Sequence, residues 1–350
     1  MFDRILIPTG CGGQAANQLR KSVITEKRIV RPIIANNRQV TRFSVLLVIL
    51  ATSLLLQSHP VAKGNDTSSA ITPEQAQAQL PKAIRDGKGE VLADLLKAGA
   101  KVNFRYSDGN TPLILAALYA QPDCVDLLIK KGADVNAVNN AGVTALIRAA
   151  TNFDKARLLV EAGADVKART HLGNTALILA ARRYGNSATV KLLLKHGADP
   201  KDANPFDEAR FTALWAATEC GDLESVRVLA DKGADVNERG IPLTLAAYRN
   251  DVPMVQFLLE RKTDPNQRAI VAQAAENHCV EAVELLLKSG ARVNATDRYG
   301  FTALHWASAN DSPSADLVNL LLRHGADPNA AGGEANDSFL GVPQTPLMFA

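Results

Sequence analysis

The sequence predicts an all-α fold, a solenoid of stacked helix-turn-helix units joined by short β-hairpins or turns. Eight segments between residues 95 and 329 follow the pattern Leu-Leu-x-x-Gly-Ala-Asp-x-Asn, with some variation. Their average spacing is about 32 residues, a period typical of repeat proteins. A second pattern, Thr-x-Leu followed by alanines, precedes most of them. Apolar residues make up 47% of the chain and charged residues 21%, so most of it is expected to fold.

The first part of the chain is predicted to lie outside the solenoid. Residues 1–42 carry eight Lys or Arg and two acidic residues, and we expect this basic segment to be disordered. Residues 43–57 are uncharged and mostly apolar. This segment is shorter than the ~20 residues that a membrane-spanning helix needs, and it resembles the apolar region of a secretory signal. Residues 58–71 read as a polar linker before the array at 72–350.

The apolar segment determines the expected location of the protein. If it directs export and is removed, the product is a periplasmic or extracellular protein, of the kind that bacteria secrete. If it stays in place, it anchors the array to a membrane, and a buried core helix is the third interpretation. A cytoplasmic location is disfavoured.

Each predicted unit begins with a first helix. Thr at its head suits an N-cap, because the hydroxyl accepts a hydrogen bond from a free backbone N–H of the first turn. Proline follows at Pro112 and Pro346, where a missing N–H is harmless. The Ala-Ala pairs that come next keep one helix face thin, so that the next unit packs closely.

The second helix supplies the bulk of the predicted core. Its Leu-Leu pairs, such as Leu127/Leu128 and Leu192/Leu193, provide an apolar stripe between units. Glycine then ends the helix, because a left-handed residue is least strained without a Cβ. No unit buries its own apolar face alone, so stability is expected to depend on nearest neighbours.

The two ends of the array differ. Thr72, Pro73 and Gln75 match an N-cap, a first-turn proline and a capping-box partner, and they predict the first helix of a capping unit. The final residues, TPLMFA (345–350), stop inside a predicted first helix. We therefore expect the sequence to be truncated, with room for a further domain.

The paired signatures resemble the ankyrin repeat, whose unit is a β-turn followed by two antiparallel helices with a Thr-Pro-Leu-His-x-Ala motif. The resemblance covers residues 80–350, and DRYGFTALHWA (297–307) matches it best. Two connections depart from the pattern, because ERGIPL and NQRAIV stand in place of the turn, glycine and Thr-Pro. We expect the protruding hairpins to be reduced or missing there.

No catalytic pattern accompanies the repeats. HExxH, G-x-S-x-G, the phosphate-binding loop and a strand-linked GxGxxG are all missing from the sequence. Cys11, Cys124, Cys220 and Cys279 are far apart, which argues against a zinc site, and we expect Cys124 and Cys279 to pack between helices. These observations predict a protein that is not an enzyme and has no cofactor and no metal.

Charge argues against a nucleic-acid partner. Residues 63–350 hold 31 basic and 34 acidic groups, a net charge of −3, so the basic character of the chain belongs to its first segment.

The resemblance implies a protein-binding surface along the hairpin tips and the exposed ends of the first helices. Tyr and Arg are enriched where proteins bind tightly, and we expect a groove for a protein segment with some acidic character. His305, Trp215 and Trp306 are interpreted as structural residues. The candidate protein-binding residues are Tyr119, His171, Arg182, Arg183, Tyr248, Arg249, Arg298, Tyr299 and Phe301.

These observations lead to two hypotheses. The first is a monomeric, non-enzymatic protein-interaction scaffold that is exported or membrane-anchored. The alternative is that the array is the docking half of a longer enzyme or redox protein whose catalytic domain follows residue 350. Fold does not choose among partners.

Overall fold

A computed structural model describes residues 71–205, 211–309, 314–332 and 345–349. Over these ranges the chain forms sixteen α-helices in eight consecutive pairs, here called units 1 to 8. Units 1 to 4 contain α1 (Pro73–Arg85) and α2 (Gly89–Lys97), α3 (Pro112–Tyr119) and α4 (Pro122–Lys130), α5 (Ala145–Ala149) and α6 (Phe153–Glu161), and α7 (Ala176–Ala181) and α8 (Ser187–Lys195). Units 5 to 8 contain α9 (Ala213–Cys220) and α10 (Leu223–Asp231), α11 (Ile241–Tyr248) and α12 (Val252–Glu260), α13 (Ile270–Glu276) and α14 (Val280–Lys288), and α15 (Ala303–Ser308) and α16 (Ala315–Arg323).

The first helices begin as the sequence predicts. The Thr111 hydroxyl accepts a hydrogen bond from the Ile114 N–H, and Thr144 and Thr175 cap their helices in the same way. At α1, Thr72 and Gln75 bond each other reciprocally, which confirms the capping box. These hydrogen bonds satisfy backbone donors that a helix start leaves free.

Second helices end in a left-handed residue. Gly132, for example, has φ +81°, and the equivalent glycines of the other units also have positive φ. Unit 6 has Lys262 in this place, at φ 61°, so a side chain there tolerates a conformation that glycine adopts without strain. The predicted role of the glycines is confirmed.

One continuous apolar core runs through the stack. Each first helix packs on the first helix of the next unit, and most second helices pack in the same manner. In the pairs Leu127/Leu128 and Leu192/Leu193 the second leucine is fully buried and the first is half-buried. Cys124 and Cys279 are buried within the helix pairs, as expected. Because the core lies between units, each unit depends on its neighbours for burial.

Short protruding turns, here called fingers, connect most units. In the described residues they form isolated antiparallel bridges, between Arg169 and Thr175 and between Ala203 and Thr212, and no longer strand. Two fingers are replaced by 3₁₀ turns at Glu238–Gly240 and Gln267–Ala269. The expected loss of two hairpins is therefore confirmed.

Asparagines that follow the Gly-Ala-Asp turns link successive units. The Asn136 side chain donates to the Gly163 carbonyl at 3.1 Å and accepts from the Asp165 N–H at 2.8 Å, both in the next unit. Asn103, Asn266 and Asn294 make the same pair of bonds, and Asn237 accepts from the next unit. We call this set of contacts the asparagine ladder.

The ladder is interrupted after units 3 and 4. Lys167 and Lys201 occupy the asparagine position there. A lysine side chain has no acceptor, so it cannot receive the N–H of the next unit. Between units 3 and 4 the contact is made instead by an ion pair of Arg169 with Asp202, at 2.5 Å.

Among the described residues, no helix combines the length and apolar character that crossing a membrane requires. The apolar segment at 43–57 and the basic segment at 1–42 lie outside those residues, so their expected roles stay predictions.

Changing the ladder is expected to change stability in opposite directions at two sites. Asn136→Ala removes two bonds and should lower the free energy of unfolding by about 2 kcal/mol. Lys167→Asn supplies the missing donor and acceptor and should raise it by about 1 kcal/mol. Urea denaturation followed by circular dichroism measures both, and equal midpoints for all three proteins would contradict the role of the ladder.

Candidate functional site

A groove of about 770 Å³ lies across units 2, 3 and 4, on the side formed by the fingers and the first helices. Its volume is in the range of ligand-binding clefts. We call it the finger groove. The residues that line it are Leu118, Asn140, Ala141, Val143, Ile147, Arg148, Thr151, Thr170, His171, Leu172, Asn174, Leu179, Arg182 and Arg183.

The groove lies where one first helix is short. Helix α5 has five residues, whereas α3 has eight and α7 has six. It is short because Asn152 already caps α6, with its side chain accepting from the Lys155 N–H at 3.0 Å. Helix α5 is thus the shortest of the three first helices that contribute to the groove.

Lys155, on α6, makes a buried contact with the preceding unit. It is buried, whereas the equivalent position holds Thr189, Ser225 or Met254 in other units. Its ammonium donates to the Ala117 carbonyl of α3 at 2.9 Å. Burial lowers the pKa of Lys155, because the charged form loses hydration. This contact ties unit 3 to the end of the preceding first helix.

The rim of the groove is basic. Arg148, Arg182 and Arg183 are exposed, and no Asp or Glu is among the lining residues. The Arg182 guanidinium lies 5.3 Å from the Phe211 ring centre, a cation–π distance that helps to hold the side chain in place. With no acidic residue in the lining, the groove favours a negatively charged ligand.

The rest of the groove is largely apolar. Leu118 is 40% exposed and Leu172 is 70% exposed. Ile147 is buried and Leu179 is half-buried beneath them. An apolar floor with a basic rim is the arrangement of a surface that takes a side chain and fixes its flanks.

Three of the predicted binding residues line this groove. His171 comes from the finger before α7, and its backbone N–H donates to the Ala141 carbonyl of the preceding finger at 2.9 Å. Arg182 and Arg183 follow the end of α7. Tyr119 is 51% exposed and stands next to Leu118, just outside the lining.

Tyr248 and Arg249 lie elsewhere, at the end of α11. The Tyr248 carbonyl accepts from the Asn277 side chain at 2.9 Å, and burial raises the pKa of the Tyr248 phenol. Arg249 donates to the Glu219 carbonyl of the preceding unit. Both residues thus take part in contacts between units.

Arg298, Tyr299 and Phe301 form a third group, in the finger before α15. The Arg298 guanidinium stacks on the Tyr299 ring at 4.5 Å, and Phe301 packs against His305 and Trp306. This finger lies outside the groove.

The expected structural roles in this region are confirmed. The His305 Nδ1 accepts from the Thr302 N–H at 3.1 Å. The Trp306 indole donates to Asp297 at 2.9 Å. Burial raises the pKa of Asp297, although its carboxylate accepts hydrogen bonds from the Trp306 indole and from the backbone N–H groups of Tyr299 and Phe301.

Sequence reasoning missed the groove residues contributed by the middle of the first helices. Arg148 and Leu179 occupy the fifth position counted from the capping threonine. A signal existed in the repeats themselves, because this position varies while the residue after it is alanine in all seven units. Across seven units it holds Leu115, Arg148, Leu179, Ala216, Leu245, Gln273 and Trp306.

Within the part of the chain that the structure describes, no group of three or more His, Cys, Asp or Glu side chains is placed to hold a metal ion.

Comparison with known proteins agrees with the repeat pattern. A family model described as "Ankyrin repeats (3 copies)" matches residues 80–170, 154–240 and 243–331.

Similar proteins come from very different organisms. An ankyrin repeat and KH domain-containing protein of Caenorhabditis briggsae is 31% identical over 73% of this chain and 9% of its own length. A putative ankyrin repeat protein of Fowlpox virus is 33% identical over 40% of this chain and 43% of its own. An E3 ubiquitin-protein ligase of Arabidopsis thaliana is 29% identical over 77% of this chain and 16% of its own. The chain thus spans less than half the length of these relatives.

Lys155 is expected to make stability depend on pH at alkaline values. Its lowered pKa means that the unfolded chain binds this proton more tightly, so the folded state gains stability as pH rises toward 10.5. Lys155→Met removes the titrating group and places the residue that unit 6 has at this position. We expect urea denaturation between about pH 8 and about pH 10.5 to show that the unfolding free energy of the unmodified protein rises relative to that of the variant. A difference independent of pH would contradict this role.

Proposed function

The chain belongs to the ankyrin repeat family, and from that premise we propose that it works as a non-enzymatic scaffold that binds a partner protein in the finger groove. The observation that carries the proposal is the groove itself, with its exposed Leu118 and Leu172 beside Arg148, Arg182 and Arg183. Apolar side chains grouped in one groove mark interaction sites, and arginine is enriched at protein interfaces.

The position of the groove supports the same function. Its walls are contributed by rigid, capped helices and by fingers that bond one another through Asn140 and His171. A preformed surface loses little entropy when a partner binds. The rest of the array serves to hold this surface, because each unit is stabilised by its neighbours.

The proposal includes a location. Residues 43–57 either direct export and are removed or anchor the array to a membrane, and residues 58–71 separate them from the first helix. The array then works as a monomer in the periplasm or outside the cell, without cofactor or metal and without a nucleic-acid partner.

A second candidate function rests on one comparison. The E3 ubiquitin-protein ligase of Arabidopsis thaliana matches most of this chain over a small part of its own length. In the same arrangement, this array is the docking half of a longer enzyme or redox protein.

Site-specific photo-crosslinking in the cells that make the protein tests the groove. A photoreactive residue at position 172, in the groove, should give covalent adducts with another protein. The same residue at position 195, exposed on α8 and outside the groove, is the matched control. Adducts only from position 195, or equal adducts from both, would show that the groove is not the binding surface.

The intact mass of the protein in each cell fraction tests its location and extent. We expect a species below 37.4 kDa in an exported fraction if the apolar segment is removed, or 37.4 kDa in the membrane fraction if it anchors the chain. Recovery in the cytosol alone would overturn the proposed location. A species well above 37.4 kDa would favour the longer enzyme.

A further inference from the structure

The finger groove has a chemical pattern that narrows the class of partner. Its apolar part consists of Leu118, Val143, Leu172 and Leu179, contributed by three successive units. These side chains surround a space that an aliphatic or aromatic side chain fills with dispersion contacts. Burying one such side chain is worth about 1.5–3 kcal/mol.

The same groove is also lined by positive charges. Arg148 lies within α5, and Arg182 and Arg183 follow α7, so the three guanidinium groups come from two neighbouring units. Each is exposed, and the lining supplies no carboxylate to pair with them. An incoming carboxylate is attracted to these positive charges and can accept paired hydrogen bonds from a guanidinium group.

Resting on the proposed function, we propose that the finger groove recognises a protein segment in which a large apolar side chain is flanked by Asp or Glu. The apolar side chain enters between Leu118, Leu172 and Leu179, and the carboxylates meet Arg148, Arg182 and Arg183. His171, on the finger wall, is a further hydrogen-bond donor to the segment. The apolar contact provides most of the affinity, and the charge pairs provide specificity and a fast association rate.

The balance of charge favours a protein over a nucleic acid. A nucleic-acid surface needs an extended basic stripe, and the array as a whole is net acidic. A large apolar floor also suits a side chain better than a phosphate backbone.

Selection from a random 12-residue peptide display library on the full-length protein tests this class without a known partner. A triple variant, Arg148→Gln, Arg182→Gln and Arg183→Gln, removes the rim charges. The matched control replaces three exposed arginines outside the groove, Arg85, Arg292 and Arg323, with Gln. Circular dichroism checks that both variants keep the helical fold.

We expect peptides retained by the unmodified protein to combine acidic residues with at least one Leu, Ile, Val or Phe. Synthetic peptides from this pool should bind the triple variant at least tenfold more weakly by fluorescence anisotropy, and the control variant with unchanged affinity. Leu172→Ser should weaken binding similarly and leave its salt dependence intact.

Three results would overturn the inference: a basic or neutral pool, equal binding to the triple variant, or a single-stranded oligonucleotide that displaces the peptides. If one of these results is obtained while adducts at position 172 still form in cells, the partner class is wrong and the scaffold function stands. If neither adducts nor peptides are obtained, the scaffold function itself fails.

Discussion

Pairing of backbone groups across unit boundaries is the constraint on which the rest of the structure depends. A helix of five to nine residues leaves a large share of its carbonyls and N–H groups without partners inside the helix. This chain satisfies many of them from the next unit. The asparagine ladder does so at the Gly-Ala-Asp turns, and side chains such as Asn186 do so at the ends of the first helices, where Asn186 donates to the Ala150 carbonyl at 2.9 Å. Each unit therefore completes the one before it.

The chemistry of these contacts differs from unit to unit even though the backbone positions repeat. The carbonyl at the end of α7 accepts from the Cys220 thiol at 2.8 Å, and that at the end of α11 accepts from the Asn277 amide. Arg249 and Lys155 donate from charged groups to carbonyls of the preceding unit, those of Glu219 and Ala117 respectively. The proposed binding surface includes charged residues that are not used in these contacts: the side chains of Arg182 and Arg183 line the groove, whereas that of Arg249 bonds the preceding unit.

Local rules made the helices predictable from the sequence. Capping threonines, first-turn prolines and terminal glycines act over a few residues. The helix-capping role of Thr111 and the helix-ending role of Gly132 could therefore be predicted without knowledge of the fold. The groove was only partly predictable, since the finger residue His171 and the helix-end residues Arg182 and Arg183 were anticipated while Arg148 and Leu179 were not. Their place in the groove becomes visible only when the units are aligned and the variable fifth position is compared between them. The burial of Lys155 was not predicted, because it depends on a contact with the Ala117 carbonyl of the preceding unit.

The interruption of the ladder at Lys167 has a mechanical consequence. The ladder is thus divided into units 1 to 3, unit 4 and units 5 to 8. Between units 3 and 4, the Arg169–Asp202 ion pair, the Asn186 bond to the Ala150 carbonyl and the packed helices make the connection. The finger groove crosses this first interruption, because Arg148 belongs to unit 3 and Arg182 to unit 4. If a segment binds there as proposed, its binding energy also opposes separation of units 3 and 4. Occupancy of the groove and the contact between these two units would then be thermodynamically linked.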